Sequence, residues 1–316
     1  MRPIGLLIEL KNGQVKETNF GMATAVYAAG REIVALVVDA AVDTAKSSLE
    51  AHGVTRIIKV ETGSNGWNPS RQAEAVVAAM ETFAIDSLIG LTSPAGRELL
   101  PRIAAKLDAP LIMDCIAIDP EAHRVRTSQY SGKTIATITL NGNHFIYGLR
   151  PNAVPAVDHP VIAEIIGFEW AATPDDGYRV IDTRTDESSG QYLAEAEIII
   201  SGGRGMKSAE RFSLLFDCAR HLGAAVGASR VAVDNGWAPY AMQVGQTGVK
   251  VNPKVYIAVG ISGSVQHFAG MKTAKTIIAI NTDENAPIIA NCDYYVVGDL
   301  FEILPELEKV LAKAVS

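Results

Sequence analysis

The sequence predicts an α/β protein of two domains. Three observations carry that expectation. Short apolar runs rich in Val and Ile alternate with segments whose apolar residues recur at helical spacing. In the second half, nearly every apolar run ends in glycine or polar residues. Between the halves, residues 151–190 hold Pro151, Pro155, Pro160 and Pro174, then a polar, acidic run from Asp182 to Gly190, which reads as a linker. The boundary falls at 188/189. Residues 1–188 are expected to form a parallel sheet with an antiparallel addition, and residues 189–316 a doubly wound domain.

In order, Ile4–Leu10 reads as a strand, turned by Lys11-Asn12-Gly13, and Phe20–Ala29 as an Ala-rich helix. Ile33–Val38 is a continuous apolar strand of the kind covered on both faces. Thr44–His52 is a helix closed by Gly53. Arg56–Val60 follows as a strand, and Ala73, Val76, Val77 and Met80 make one helical stripe. Ser87–Leu91 is a strand, Pro94 suits the first turn of the next helix, and Leu111–Ile118 is a fifth strand. Then the pattern changes. Arg124–Thr127, Thr134–Leu140 and Asn143–Leu149 alternate apolar and polar residues, separated by Ser131-Gly132-Lys133 and Asn141-Gly142. Asn-Gly between alternating runs signals a hairpin, so these runs predict the antiparallel addition. This half lacks a Gly-x-Gly-x-x-Gly after its first strand, and His52, His123 and His144 read as solvated surface residues.

A net charge of −7 argues against a general nucleic-acid or anionic-membrane binder. No apolar run reaches the ~18 residues that span a bilayer. The chain also enters a strand directly rather than a leader, so a soluble, cytoplasmic bacterial protein is expected. Cys115, Cys218 and Cys292 are far apart in apolar stretches and read as buried thiols, and no Cys/His cluster has metal-ligand spacing.

The second half opens with the strand Ala196–Ile200 running into Ser201-Gly202-Gly203-Arg204-Gly205. Glycines there are expected to turn backbone N–H groups toward an anion, and Arg204 suits a phosphate or is a surface arginine on a tight turn. Ser208 is a candidate N-cap for a helix buried through Phe212, Leu215, Phe216 and Ala219. Ala224–Val226 ends in Gly227-Ala228-Ser229-Arg230. The segment Gln243-Val244-Gly245-Gln246-Thr247-Gly248 lets a flat ring approach the backbone, with amides and a hydroxyl to bond it; Thr247 is otherwise a turn threonine. The stretch Val255–Asn281 organises the domain: a strand, the turn Gly260-Ile261-Ser262-Gly263, the pair Gln266-His267, and a strand closing on Asn281. In a parallel sheet such carboxyl ends face one crevice. Tyr294–Val297 is the last strand, after which Asp299 either caps a helix or meets a ligand. That helix is expected to restart at Pro305 and to bury Leu307, Val310 and Leu311. So many polar strand ends favour a large polyphosphate cofactor.

These residues, in this order, resemble the α subunit of electron-transfer flavoproteins. The pieces are SGGRG with the following MKS, AAVGASR, QVGQTG, VYIAVGISGSVQHFAGMK, IIAIN and GDLF, spanning 192–316 almost continuously. The first half resembles the family through its strand order and LLPRIAAKLDAPLIMD, and reads Ser128-Gln129-Tyr130-Ser131-Gly132-Lys133 where the family usually has an Arg-containing segment and an Ala-Gly-Asn stretch. The resemblance implies a heterodimer with a β subunit and one FAD held by the C-terminal domain. It implies AMP in β or, in an electron-bifurcating complex, a second FAD there. It also implies a carrier, not an enzyme, passing electrons from acyl-CoA-type dehydrogenases of fatty acid β-oxidation to a membrane quinone reductase. By resemblance, Arg230 lies against the flavin, Thr247 meets its N5 edge and His267 its N1/O2 edge. Arg204 and Ser229 help hold the cofactor, Gln246, Ser262 and Gln266 complete the pocket, and Asn281 and Asp299 meet the ADP half. Gly205, Gln243, Gly245, Gly260, Gly263 and Leu300 belong to the same cofactor-binding set. Reduction places negative charge at N1/O2, which His267 and Arg230 would favour, raising the first reduction potential. From the residues alone, a flavin- or adenine-nucleotide-binding enzyme with its own substrate and a non-catalytic nucleotide-binding partner protein are the competing readings. Against the enzyme, no general base pairs with a nucleophile in the sequence.

Overall fold

A computed structural model describes residues 2–63, 66–130, 134–170, 181–182 and 192–315. The expected boundary at 188/189 and the Ser131-Gly132-Lys133 turn lie outside the described residues. The elements fall into two compact units, one ending with the strand at Glu169 and the other starting at Leu193.

The first unit has strands β1 (Ile4–Leu7), β2 (Leu10–Lys11), β3 (Gln14–Val15), β4 (Ile33–Val38), β5 (Arg56–Glu61), β6 (Ser87–Leu91), β7 (Leu111–Asp119), β8 (Arg124–Gln129), β9 (Thr134–Thr139), β10 (Phe145–Leu149) and β11 (Glu164–Glu169). Its helices are α1 (Phe20–Tyr27), α2 (Asp43–Ala51), α3 (Pro69–Thr82) and α4 (Pro94–Lys106). Nine strands form one sheet in the order β11-β5-β4-β1-β6-β10-β7-β8-β9. From β11 to β7 every neighbouring pair is parallel, and β8 turns antiparallel along β7. The apolar strands are buried on both faces because helices cover both, which is why they read as continuous Val, Ile and Leu runs. Helix starts follow local chemistry: Asn68 accepts from Arg71 N and Ser93 from Gly96 N, each before a proline at the first helical position. Each such cap contributes about 1 kcal/mol.

Three expectations fail here. Phe145–Leu149 does not extend the antiparallel addition; β10 lies between β6 and β7, parallel to both. All five of its residues are buried, so its partner is the sheet centre, and Asn141-Gly142 leads into it without closing a hairpin. The Pro-rich stretch also contains β11, an exposed edge strand parallel to β5. His52 and His123 are ring partners rather than solvated residues, stacked on Phe20 at 4.0 Å and on Phe145 at 3.6 Å.

The second unit is a five-stranded parallel sheet built from β12 (Ile198–Gly202), β13 (Ala225–Ala228), β14 (Val255–Val259), β15 (Thr276–Asn281) and β16 (Tyr294–Val297), in the order β13-β12-β14-β15-β16. Helices α5 (Ser213–Leu222) and α8 (Leu300–Val315) pack on one face with Ile200, Phe212, Leu215, Cys218 and Leu304. On the other, α7 (Val265–Met271) packs through Met271 against Ile199, Tyr256 and Ala258. A short α6 (Arg230–Asp234) follows β13. The direction of winding reverses between β12 and β14, the switch point at which such sheets open a crevice at their carboxyl ends. Three details depart from expectation. Helix α5 starts at Ser213 after a 3-10 turn, Glu210–Phe212, so Ser208 is not its cap. Cys218 takes the buried position expected of Phe216, which is exposed. Helix α8 runs unbroken through Pro305, because fully buried Leu304 anchors that turn in the core, and its Val310 faces solvent. Of the thiols, Cys115 and Cys218 are buried and Cys292 is half-buried. Among the described residues no helix is long and apolar enough to cross a membrane.

Candidate functional site

A cleft of about 690 Å³ opens at this switch point. Its floor is two glycine turns pressed together. After β12, Gly203 N–H donates to Val259 O at 2.9 Å and Gly205 N–H to Gly260 O at 3.0 Å. A Cβ on Gly203 would lie 2.2 Å from Gly260 O, so only glycine permits this approach. These N–H groups are therefore used between loops and are not turned toward an anion, contrary to the sequence expectation. The cationic groups come from side chains instead: Arg204 and Lys207 line the cleft, and Lys207 and Arg211 sit over the Phe301 ring at 5.3 and 4.2 Å.

One wall is the segment Gln243–Gly248. Its shape is fixed by hydrogen bonds from Val244 N to Ala228 O at 2.9 Å, Gln246 N to Gln266 O at 2.8 Å and Val249 N to Gln243 O at 2.7 Å. Gly245, at φ +154°, packs on Gly270, where a Cβ would stand 2.4 Å from Gly245 N. Gln243, 3% exposed, donates its amide to the Thr247 hydroxyl oxygen at 3.1 Å. Tyr240 donates its hydroxyl to the Thr247 carbonyl. Ser229 caps α6, and Arg230, the first helical residue, extends an exposed side chain to Asp234 at 3.3 Å.

The opposite wall follows β14. Ser264 caps α7, whose first turn presents Gln266 and His267. His267 is 5% exposed; burial pushes its pKa down to about 4, with the Val244 carbonyl pulling the other way. The ring is thus neutral near pH 7. Its Nε2 lies 3.0 Å from the Tyr256 hydroxyl, while Nδ1 is buried without a well-formed hydrogen bond. At the far end Asn281 braces two loops, donating to Ile261 O at 3.0 Å and accepting from Asp283 N at 3.1 Å. Asp299 accepts from Phe301 N at 2.9 Å and so caps α8 while lining the cleft.

The expected residues Arg204, Gly205, Ser229, Arg230, Gln243, Gly245, Gln246, Thr247, Gly260, Ser262, Gln266, His267, Asn281, Asp299 and Leu300 all line this cleft. Gly263 does not; at φ +80° it packs against Ile288 and shapes the turn. Lys207, Ser264 and Phe301 line it unexpectedly. Lys207 and Phe301 stand in the MKS and GDLF pieces, and Ser264 carries the signal of a cap before a helix.

A doubly wound domain with a glycine-floored, cation-edged cleft at its switch point defines a binding domain for a nucleotide-type cofactor. The family model described as "Electron transfer flavoprotein domain" matches residues 4–172, and that described as "Electron transfer flavoprotein FAD-binding domain" matches 192–272. Among curated relatives, the electron transfer flavoprotein subunit alpha of Syntrophomonas wolfei is 32% identical, covering 98% of both chains. That of Paracoccus denitrificans is 37% identical, covering 96% of this chain and 97% of its own. The chain belongs to the electron transfer flavoprotein family, as an α subunit. The cleft fits an FAD by its own features: a glycine-floored cleft of about 690 Å³, arginines in its lining, and a buried imidazole nitrogen in want of a partner.

Proposed function

We propose that this chain holds one FAD in the C-terminal cleft and carries electrons as half of a heterodimer with a β subunit that binds AMP. The carrying observation is the meeting of Arg230, Thr247 and His267, from three separate segments, around one glycine-floored slot. Bound FAD supplies the redox chemistry, taking up and releasing electrons. The chain supplies the surroundings. Thr247 has its hydroxyl oxygen occupied by Gln243, which leaves its proton to donate to a ring nitrogen. Arg230 brings a mobile positive charge to the ring edge, and His267 acts as a neutral donor rather than a cation. Arg204 and Lys207, which line the cleft, would hold the diphosphate, and Asn281 and Asp299 would hold the ADP half.

On this reading the protein works in the cytoplasm. It accepts electrons from acyl-CoA-type dehydrogenases of fatty acid β-oxidation, delivers them to a membrane quinone reductase and transforms no substrate. The test is to purify the chain with its β partner, count FAD, and mix the complex with an acyl-CoA-reduced dehydrogenase. Rapid bleaching of one FAD per heterodimer supports the reading. Absence of FAD refutes it, FAD that stays oxidised removes that donor, and two FADs per heterodimer indicate an electron-bifurcating complex.

A further inference from the structure

Within the loop Gln243–Gly248, Thr247 is the residue that the backbone does not hold. On either side of it, Val244, Gly245, Gln246, Gly248 and Val249 each donate an N–H to a backbone carbonyl. Among the described residues Thr247 takes part in no such bond. The peptide it shares with Gly248 has a glycine on one side, the residue that resists rotation least. Two side chains hold Thr247 instead. Gln243 donates its amide to the hydroxyl oxygen at 3.1 Å, and Tyr240 donates its hydroxyl to the carbonyl oxygen at 2.5 Å. The second bond has one possible direction, because a carbonyl oxygen only accepts and the phenol carries the proton.

Both side chains leave one short segment. Pro239 opens a 3-10 turn, Tyr240–Met242, closed by Met242 N–H on Pro239 O at 3.0 Å and followed by Gln243 N–H on Tyr240 O at 2.9 Å. Ala238, just before it, is buried in the core that holds Leu215. The base of Tyr240 is therefore fixed, while its side chain is 65% exposed and does not line the cleft. A tyrosine so exposed adds little to the core; what it reaches is the loop. We infer that Tyr240 is a positioning residue of this site: from outside the cleft its hydroxyl latches the Thr247 carbonyl, so that the Thr247 hydroxyl stays directed at the bound ring. The inference rests on the proposed FAD site for its consequence. Without the latch the peptide between Thr247 and Gly248 turns, and Gln243 alone holds the Thr247 side chain.

Tyr240→Phe removes the latch and nothing else. The complex with the β subunit is loaded with FAD carrying nitrogen-15 in its ring, and the ring nitrogen resonances are compared with those of wild type and of Thr247→Val. Thr247→Val identifies the nitrogen that the hydroxyl meets and sets the full shift. The inference expects Tyr240→Phe to move that resonance in the same direction by part of the shift, with the melting temperature unchanged. It expects the FAD dissociation constant to rise about 2- to 12-fold, the worth of one hydrogen bond. In a Thr247→Val background, Tyr240→Phe should move neither quantity further. A wild-type resonance in Tyr240→Phe, or an effect of equal size in the Thr247→Val background, overturns the inference. A wild-type complex that takes up no FAD contradicts the proposed function instead. The latch is then read from backbone amide exchange over residues 243–249 in the cofactor-free complex: faster exchange in Tyr240→Phe supports it, and unchanged exchange overturns it.

Discussion

Replacing Gly270 by alanine tests how the cofactor loop is held. The new Cβ would lie 2.4, 2.5 and 2.9 Å from the N, Cα and C atoms of Gly245. Real Cβ atoms do not come that close, and every neighbour is backbone, so no side chain can swing aside. Gly245 is pinned by its own N–H to Val249 O at 3.3 Å and by the following N–H, Gln246 to Gln266 O at 2.8 Å. The loop or helix α7 must therefore shift, carrying Thr247 or His267 out of position. Overpacking of this kind costs about 1–3 kcal/mol. If the strain falls on the bound loop conformation, the FAD dissociation constant rises roughly 5- to 150-fold. The assay is fluorescence titration of FAD into the stripped complex, beside thermal unfolding. Gly167→Ala is the control: nothing lies within 4 Å of its Cβ position, and neither affinity nor melting temperature should change. Wild-type FAD affinity and melting in Gly270→Ala would refute the reasoning.

Asp114→Ala removes from Arg150, which is 4% exposed, the carboxylate that pairs with it at 2.7 and 2.9 Å. The cost is about 3–5 kcal/mol, and the first unit should melt roughly 6–20 °C lower by calorimetry. His267 sits near pKa 4 when folded, below its ordinary value of ~6.5, so the unfolded chain takes up the proton first. Its contribution is complete above pH 6.5 and is lost as pH falls toward 4, on the order of 3 kcal/mol. In urea titrations of FAD-free protein, His267→Gln should lack this limb, and an unchanged acid slope would contradict the burial argument. Arg230→Ala, at an exposed position, should leave stability within about 0.5 kcal/mol. It should lower the first reduction potential by roughly 65–130 mV, the equivalent of a charged hydrogen bond of ~1.5–3 kcal/mol. An unchanged potential by spectroelectrochemistry would remove Arg230 from that role.

The α/β rhythm was legible because strands covered on both faces must be continuously apolar, as Ile33–Val38 is. Phe145–Leu149 has the same character, but the Asn-Gly before it imitates a hairpin turn, and only the sheet order reveals a central parallel strand. Glu164–Glu169 was hidden because charged ends and nearby prolines fit an edge strand and a linker equally well. The cleft was legible from polar residues at strand ends. Which N–H groups remain free was not, since Gly203 and Gly205 spend theirs on β14 and its turn, a neighbour fixed by topology. The Tyr256–His267 contact was likewise out of reach, because it needs α7 folded back over the sheet.

The central claim is that this cleft holds a redox-active FAD. An absorbance-monitored reductive titration of the complex with its β subunit tests it most directly. The account predicts a yellow complex with one FAD per heterodimer, reduced in two separable one-electron steps, and a first step weakened in Arg230→Ala. A colourless complex that takes up no FAD would contradict it and leave a nucleotide-binding partner protein as the better description.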